Sequence, residues 1–90
     1  MMVLFKPSFV KDCRKLPEKI KREVEEVCFS VFPKIRGLAE FKLYPLRKIR
    51  GFHFYWRIKI GNYRVGFKKT GSEVIFMRVL PRKDIYRYFP

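Results

Sequence analysis

The sequence predicts an α+β fold, in which an N-terminal strand and a two-helix hairpin pack on a twisted, mainly antiparallel sheet closed by a short C-terminal helical turn. Apolar residues recur at helical spacing between prolines in the first half, whereas residues 41–89 mostly alternate apolar and polar side chains between turn signals. A third observation is length, because 90 residues are enough for one domain. We therefore expect residues 1–90 to form a single domain.

The first half predicts one strand and two helices. Residues 2–6 predict a short strand, after which Ser8 is expected to cap the first helix. Pro17 separates the first helix from the second, and Pro33 and Gly37 end the second. The apolar face of the first helix comprises Phe9, Val10, Cys13 and Leu16, and that of the second comprises Ile20, Val24, Val27, Cys28 and Val31.

The second half predicts a sheet that ends in a helical turn. We expect strands near residues 40–44, 54–60, 63–69 and 73–80, and a helical turn at 83–88. Gly61 and Asn62 form a two-residue hairpin turn, and a turn of this length fixes the pairing of its strands. The expected apolar pairs are 60 with 63, 58 with 65 and 56 with 67, and on the other face Lys59 opposes Arg64, Arg57 opposes Gly66 and Tyr55 opposes Lys68.

Charge is concentrated in the predicted sheet. The chain has a formal charge of +14, with 9 basic and 6 acidic residues in positions 1–41 but 13 basic and 2 acidic residues in positions 42–90. Because hydrophobic residues make up 48% of the sequence, this charge belongs to a folded surface rather than to a disordered chain. Such a surface favours polyanions, with nucleic acid ahead of an anionic membrane or an acidic protein.

The hairpin places three cations on one face of the sheet. Like charges directly across a sheet, such as Lys59 and Arg64, destabilise it unless an anion lies between them. A solvated face rich in Lys and Arg is common in antiparallel sheets and is the competing interpretation. A ligand site is favoured because the cluster contains no acid, Gly66 leaves space opposite Arg57, and Tyr55 offers a stacking surface.

The remaining residues narrow the class of protein. Cys13 and Cys28 lie on apolar helix faces, so we expect buried free thiols. The first apolar stretch is too short for a signal peptide, and no apolar run approaches the roughly 18 residues needed to span a bilayer. We therefore expect a cytoplasmic protein without a membrane partner. His53 has no metal-ligand partner at suitable spacing, so no metal or other cofactor is expected.

Two segments together resemble a known family. Residues 55–67, YWRIKIGNYRVGF, followed by residues 79–87, VLPRKDIYR, are similar to the core signature of the RelE/ParE superfamily of toxins from type II toxin–antitoxin modules. The order of strand, helical hairpin and sheet also matches, so the resemblance extends over the whole domain. It implies a cognate antitoxin partner, and it implies either ribosome-dependent cleavage of messenger RNA, as in RelE-like members, or poisoning of DNA gyrase, as in ParE-like members.

The resemblance also implies a catalytic site. Carried over by position, its residues are Arg57, Lys59, Arg64, Arg82 and Tyr86, with Lys83 as a rival to Arg82. Residues expected to contact RNA around them are Tyr55, Lys68, Arg78, Lys83 and Arg87. The complete basic set favours a metal-independent endoribonuclease over a gyrase poison, and the resemblance implies that the ribose 2′-hydroxyl attacks its own phosphate.

Two positions depart from the family pattern. Pro81 stands where many relatives have His, which leaves a non-catalytic RNA-binding protein as an alternative. Arg57 replaces a Lys found in some nucleases, and Arg cannot readily act as a base. The general base is therefore either Lys59 or Tyr86, and the sequence does not distinguish them.

Overall fold

The computed structural model describes all 90 residues and contains one five-stranded sheet with three α-helices. The strands are β1 (Met2–Phe5), β2 (Leu46–Lys48), β3 (Tyr55–Ile60), β4 (Tyr63–Thr70) and β5 (Glu73–Pro81), and the helices are α1 (Pro7–Arg14), α2 (Glu18–Glu25) and α3 (Arg82–Tyr88). The strand order is β1-β5-β4-β3-β2, with β1 parallel to β5 and every other pair antiparallel. The predicted fold class is confirmed. None of the helices has the length and apolar character needed to cross a bilayer.

The hairpin of β3 and β4 has the predicted register. All six expected pairs form, from Tyr55 with Lys68 to Ile60 with Tyr63. Gly61 opens the turn with φ +58°, a backbone conformation that suits glycine. Because side chains alternate along a strand, Ile58 and Ile60 are buried against the helices while their polar neighbours lie on the opposite side. We call these the helix-facing side and the outer side of the sheet.

The core lies between the helix-facing side and the N-terminal helices. Val24, Val27 and Cys28 are fully buried there, as the apolar pattern predicts, whereas Val10 is exposed on the far side of α1. Both cysteines are buried free thiols, which confirms that prediction. Burial raises the pKa of Cys13 to about 11 and raises that of Cys28 well above its ordinary value.

Helix α1 begins one residue before the predicted cap, because Pro7 itself occupies the first turn. Ser8 is therefore not the cap, and its hydroxyl instead donates to the carbonyl oxygen of Met77 over 2.8 Å. One turn further on, the Asp12 carboxylate accepts the backbone N–H of Val79 over 3.0 Å. Since β1 pairs only with the first part of β5, these side chains satisfy the edge of β5 that β1 leaves uncovered.

The strand predicted at residues 40–44 does not form. Phe41 instead turns into the core, with its ring 5.2 Å from that of Phe32, and Tyr44 donates its hydroxyl to Glu23 over 3.2 Å. The strand forms later, at β2. Its pairing begins at Pro45, whose carbonyl accepts the N–H of Lys59. Pro45 has no N–H of its own, so it contributes only this one hydrogen bond.

The second helix changes its winding before it ends. Helix α2 continues directly into a π-helical turn at Glu26–Val31 and a 3₁₀ turn at Phe32–Lys34, and a further 3₁₀ turn spans Leu38–Glu40. Pro33 lacks an N–H and its ring would meet the carbonyl four residues earlier, which accounts for the change. The helical segment therefore ends near Pro33, as predicted, but its last turns are π-helical and 3₁₀.

Strand β5 contains one extra residue, and helix α3 follows it onto the outer side. Gly66 pairs with Arg78 while the next residue, Phe67, pairs with Phe76, so Met77 has no partner and forms a bulge. The predicted helical turn at 83–88 is confirmed as α3. Its buried residue Ile85 and the following Phe89 anchor this C-terminal segment on the outer side.

Candidate nucleic-acid interface

An open groove crosses the outer side of the sheet where β2, β3 and α3 meet. We call it the basic groove, and its lining residues are Arg47, Lys48, Ile49, Arg50, Arg57 and Tyr86. Arg47 and Arg57 oppose each other across β2 and β3, and the Arg57 guanidinium carbon lies 5.6 Å from the centre of the Tyr86 ring. Tyr86 keeps 54% of its surface exposed, so its hydroxyl-bearing ring is accessible beside two cations.

Arg64 lies next to this groove but is buried, with only 5% of its surface exposed. Its Nη1 donates to the carbonyl oxygens of Gly61 and Tyr63, each over 3.0 Å. Its Nε is buried without a partner, and Nη2 donates to no protein acceptor. Burial lowers the pKa of Arg64, Tyr86 opposes that shift, and the positive charges of Arg57 and Arg82 add to it.

Of the other predicted catalytic residues, Arg57 is half-buried and Lys59, Arg82 and Tyr86 are exposed. Lys59 opposes Arg64 across the hairpin, as the register predicts, and projects into solvent. Arg82 begins α3 and lies within electrostatic reach of Arg64, while Lys83 and Arg87 are exposed on the same helix. The structure thus brings Arg57, Lys59, Arg64, Arg82 and Tyr86 together on the outer side of the sheet.

The space predicted opposite Arg57 is occupied. A Cβ on Gly66 would lie 2.6 Å from Cδ2 of Phe89, so the glycine makes room for an aromatic ring of the chain itself and not for a ligand. That ring contacts Tyr55 edge-on at 5.7 Å, and the Lys68 ammonium lies 5.8 Å from the Tyr55 ring centre. Tyr55 and Lys68 are consequently half-buried beside the C-terminal segment.

Arg78 was predicted to contact RNA, but its guanidinium is already paired. Its Nε and Nη2 donate to the two carboxylate oxygens of Asp12 over 2.7 and 3.0 Å, and its guanidinium carbon lies 5.2 Å from the Tyr88 ring centre. The bond to Asp12 raises the pKa of Arg78. The geometry favours a structural role for Arg78, because the side chain joins α1, β5 and α3 and its charge is neutralised.

Three cations of the basic groove were absent from the sequence prediction. Arg47, Lys48 and Arg50 belong to β2 and the following turn, whereas the sequence pattern predicts that strand at 40–44. The sequence does contain a signal for this strand. Segment 46–49 is followed by a glycine, Gly51, and then by β3, which is the arrangement of two strands joined by a short hairpin loop. His53 is exposed in the same loop, and no group of three His, Cys, Asp or Glu side chains that could hold a metal ion comes together.

Comparison with known proteins defines the class to which this fold and site belong. Residues 3–86 match the family model described as the ParE toxin of the type II toxin–antitoxin system. Toxin RelE3 of Methanocaldococcus jannaschii is 42% identical over 90 residues, which is the full length of both chains. The chain therefore belongs to the RelE/ParE superfamily of toxins from type II toxin–antitoxin systems, and it is RelE-like.

Solved structures agree with this assignment. A chain of the RelB–RelE antitoxin–toxin complex from Methanococcus jannaschii superposes with a TM-score of 0.81 at 38% identity, covering 97% of this chain and 99% of that one. A chain of the archaeal RelE–RelB complex from Pyrococcus horikoshii OT3 superposes with a TM-score of 0.72 at 19% identity, covering 93% and 97%. The second likeness demonstrates a shared fold.

Proposed function

We propose that this RelE-like toxin is a ribosome-dependent endonuclease of messenger RNA whose reaction centre is the outer side of the sheet. The observation that carries the proposal is the cluster of Arg57, Arg64, Arg82 and Tyr86, in which a phenol lies among three guanidinium groups. Such a cluster suits a reaction in which negative charge grows on a phosphate.

The proposed step is attack within the RNA itself. The ribose 2′-oxygen bonds to the adjacent phosphorus as the bond from phosphorus to the 5′-oxygen breaks, leaving a cyclic 2′,3′-phosphate and a 5′-hydroxyl. One proton leaves the 2′-hydroxyl for a general base, and one proton is delivered to the departing 5′-oxygen. The phosphate gains negative charge on the way, and fixed cations around it lower the barrier.

Arg64 is suited to hold that phosphate because its position is fixed before a ligand arrives. The two backbone carbonyls that bind Nη1 hold the guanidinium in place, and Nη2 remains for a phosphate oxygen. A buried donor without a partner costs about 1–3 kcal/mol, so small adjustments that pair Nε with a bound phosphate would recover part of that energy. Arg57 and Arg82 supply further positive charge.

The general base remains a choice between two residues. Tyr86 is exposed beside Arg57, and Lys59 is exposed opposite Arg64, so both are candidates to accept the proton of a 2′-hydroxyl bound at the cluster. Substitution distinguishes them. Loss of the general base should lower the cleavage rate about 10²–10⁴-fold, so the rate of Tyr86→Phe should be compared with that of Lys59→Met.

A cognate antitoxin is the second proposed partner. The relatives from Methanococcus jannaschii and Pyrococcus horikoshii were solved as RelB–RelE complexes. A chain with a charge of +14 would be neutralised by an acidic segment, so we expect the antitoxin to be acidic where it binds this toxin.

The first prediction tests the cleavage function. Purified toxin added to ribosomes that carry a messenger RNA should produce fragments with cyclic phosphate ends, detectable by primer extension and mass spectrometry. Arg64→Ala and Arg64→Lys should each lower the cleavage rate about 10²–10³-fold, because a fixed donor to the phosphate is lost. Arg14→Ala, an exposed cation on α1 across the sheet, should cleave at the wild-type rate.

Circular dichroism of each variant establishes that the fold is retained, and Arg64→Lys keeps the charge if the alanine variant is unstable. Wild-type cleavage by a folded Arg64 variant removes Arg64 from the reaction centre. Because the matching family model is that of ParE toxins, plasmid supercoiling is followed in parallel. Altered supercoiling with intact messages identifies gyrase as the target, and the absence of both effects contradicts both activities and leaves the non-catalytic RNA-binding alternative.

A further inference from the structure

The loop between β2 and β3 presents an aromatic ring among cations. The N–H of Phe52 donates to the carbonyl of Ile49 over 3.2 Å, and Gly51 between them has φ +84°, as the third residue of a type II turn requires. The N–H of Ile49 also donates to the carbonyl of Tyr55 over 2.8 Å. The bond to Tyr55 ties the turn to the first residue of β3, and the ring of Phe52 projects from the turn with 48% of its surface exposed.

This loop forms a second concave surface, which we call the aromatic notch. Its lining residues are Lys48, Ile49, Arg50, Gly51, Phe52 and His53. The ring of Phe52 stands perpendicular to that of Tyr55, with centres 6.0 Å apart, so its orientation is supported from the sheet. No acidic residue occurs between Glu40 and Glu73, a stretch that contains nine Lys and Arg residues.

The aromatic notch is continuous with the basic groove. Lys48, Ile49 and Arg50 line both of them. Arg57 and Tyr86 line the basic groove next to these three shared residues. A strand whose phosphate is held at Arg57 can therefore pass directly over Arg50 to Phe52. Neither the sequence pattern nor the family resemblance assigns a role to this loop.

We propose that the aromatic notch binds one nucleotide of the messenger strand beside the phosphate that is cut, with its base stacked on Phe52 and its phosphate on Lys48 and Arg50. An exposed ring among cations matches the alternation of base and phosphate in a single strand. A membrane surface or an acidic peptide would use the cations but has no base to stack on the ring. The continuity with the basic groove selects the messenger over ribosomal RNA. This inference rests on the proposed nuclease function.

The test measures binding without cleavage. The probe is a fluorescent single-stranded RNA oligonucleotide with 2′-O-methyl groups throughout, which has no 2′-hydroxyl and cannot react. Phe52→Ala should weaken its binding about tenfold while the slope of log affinity against log salt stays unchanged, because stacking is lost and no phosphate contact is. Arg50→Ala should reduce that slope by about 0.7, the value for one phosphate contact of a single strand.

The matched control is Phe29→Ala. Phe29 is as exposed as Phe52, at 49%, but it packs against Phe5 of β1 at the opposite edge of the sheet, so its removal should leave RNA affinity unchanged. Phe52→Leu keeps an apolar side chain of similar size without a flat ring, and it should lose nearly as much affinity as the alanine variant. Wild-type affinity in Phe52→Ala, or an equal loss in Phe29→Ala, overturns the proposal.

A second measurement separates messenger from ribosomal RNA. On ribosomes, Phe52→Ala should raise the KM for cleavage of the message and leave the affinity for ribosomes without message unchanged. A loss of affinity for empty ribosomes would assign the aromatic notch to ribosomal RNA and overturn the proposal. If the toxin proves not to cleave RNA, the oligonucleotide measurement still reports on stacking, so failure of the nuclease function and failure of the aromatic notch are distinguishable.

Discussion

Asp12 is a buried carboxylate, 6% exposed, on which three elements of the fold depend. It receives both guanidinium hydrogen bonds from Arg78 and the backbone N–H of Val79, and Arg78 in turn lies against Tyr88 of α3. The pair is the one ion pair of a chain with 22 basic residues. Its removal would leave a guanidinium and a strand edge donor without their acceptor.

We predict that Asp12→Ala lowers the free energy of unfolding by about 3 kcal/mol, since an ion pair that is mostly buried loses one partner. Asp12→Asn keeps an acceptor for one of the donors and should cost about half as much. Urea unfolding followed by circular dichroism measures both. Glu26→Gln, which removes an exposed acid with no hydrogen-bond partner, should change stability by less than about 0.5 kcal/mol. An Asp12→Ala protein as stable as this control would contradict the prediction.

Arg64 illustrates what a sequence can and cannot predict about a single residue. Its face and its cross-strand partner follow from alternation and a two-residue turn, which are local properties of residues 55–69, and both are confirmed. Its burial depends on packing against the rest of the fold, although the two carbonyls that it binds, those of Gly61 and Tyr63, belong to the hairpin itself. The ion pair of Arg78 could not be predicted from local pattern either, because its partner Asp12 is 66 residues away in the chain.

The C-terminal segment that holds helix α3 on the sheet includes one especially close contact. The ring of Phe89 lies directly over the Cα of Gly66, and both residues are buried. Phe89 follows the helix that carries Tyr86 and Arg82, so the ring fixes where those side chains stand relative to Arg57.

We predict that Gly66→Ala displaces Phe89, because the added Cβ would lie 2.6 Å from its ring. The expected losses are about 2 kcal/mol of unfolding free energy and about 10²-fold in cleavage rate as Tyr86 loses its position. Denaturant unfolding and the ribosome cleavage assay measure the two effects.

A double-mutant cycle provides the control for this contact. Phe89→Ala alone should cost about 3–5 kcal/mol, and adding Gly66→Ala to it should cost almost nothing more, since the ring that clashes is gone. Additive losses from the two substitutions would mean that Gly66 acts through some other neighbour.

The elements were predictable to different degrees. The hairpin of β3 and β4, strand β5 and helix α3 carry strong local patterns, and they form where expected. Strand β2 was misplaced because Phe41 satisfies a strand pattern and a core position equally well, and only packing against Phe32 decides between them. Three cations of the basic groove were missed with that strand.

The whole molecule carries more positive charge than its own acids can balance. Its dimensions are 30 × 29 × 23 Å, whereas the screening length of the solvent is about 10 Å at 0.1 M salt and about 3 Å at 1 M. At low salt the cations therefore repel one another across much of the fold. Because the cations are closer together in the folded state than in the extended chain, their repulsion destabilises the folded state.

We predict that the free energy of unfolding rises by about 1 kcal/mol between 0.05 and 0.5 M sodium chloride as this repulsion is screened. Lys42→Glu, at an exposed position outside the basic groove, should be more stable than wild type at low salt and should gain less from added salt. Lys42→Arg keeps the charge and should behave as wild type. Thermal unfolding across a salt series is the measurement, and identical salt responses of the two variants would refute the electrostatic origin.

The bulge at Met77 changes which residues of β5 face the core from that point onward. Before the bulge, even-numbered residues such as Val74 and Phe76 point to the core, and after it the odd-numbered Val79 does. In an uninterrupted strand Arg78 would take the inward position. The extra residue therefore acts as a frame shift in the alternation of sides, and by moving one guanidinium out of the core it also determines the side of the sheet on which the chain leaves β5 to build α3.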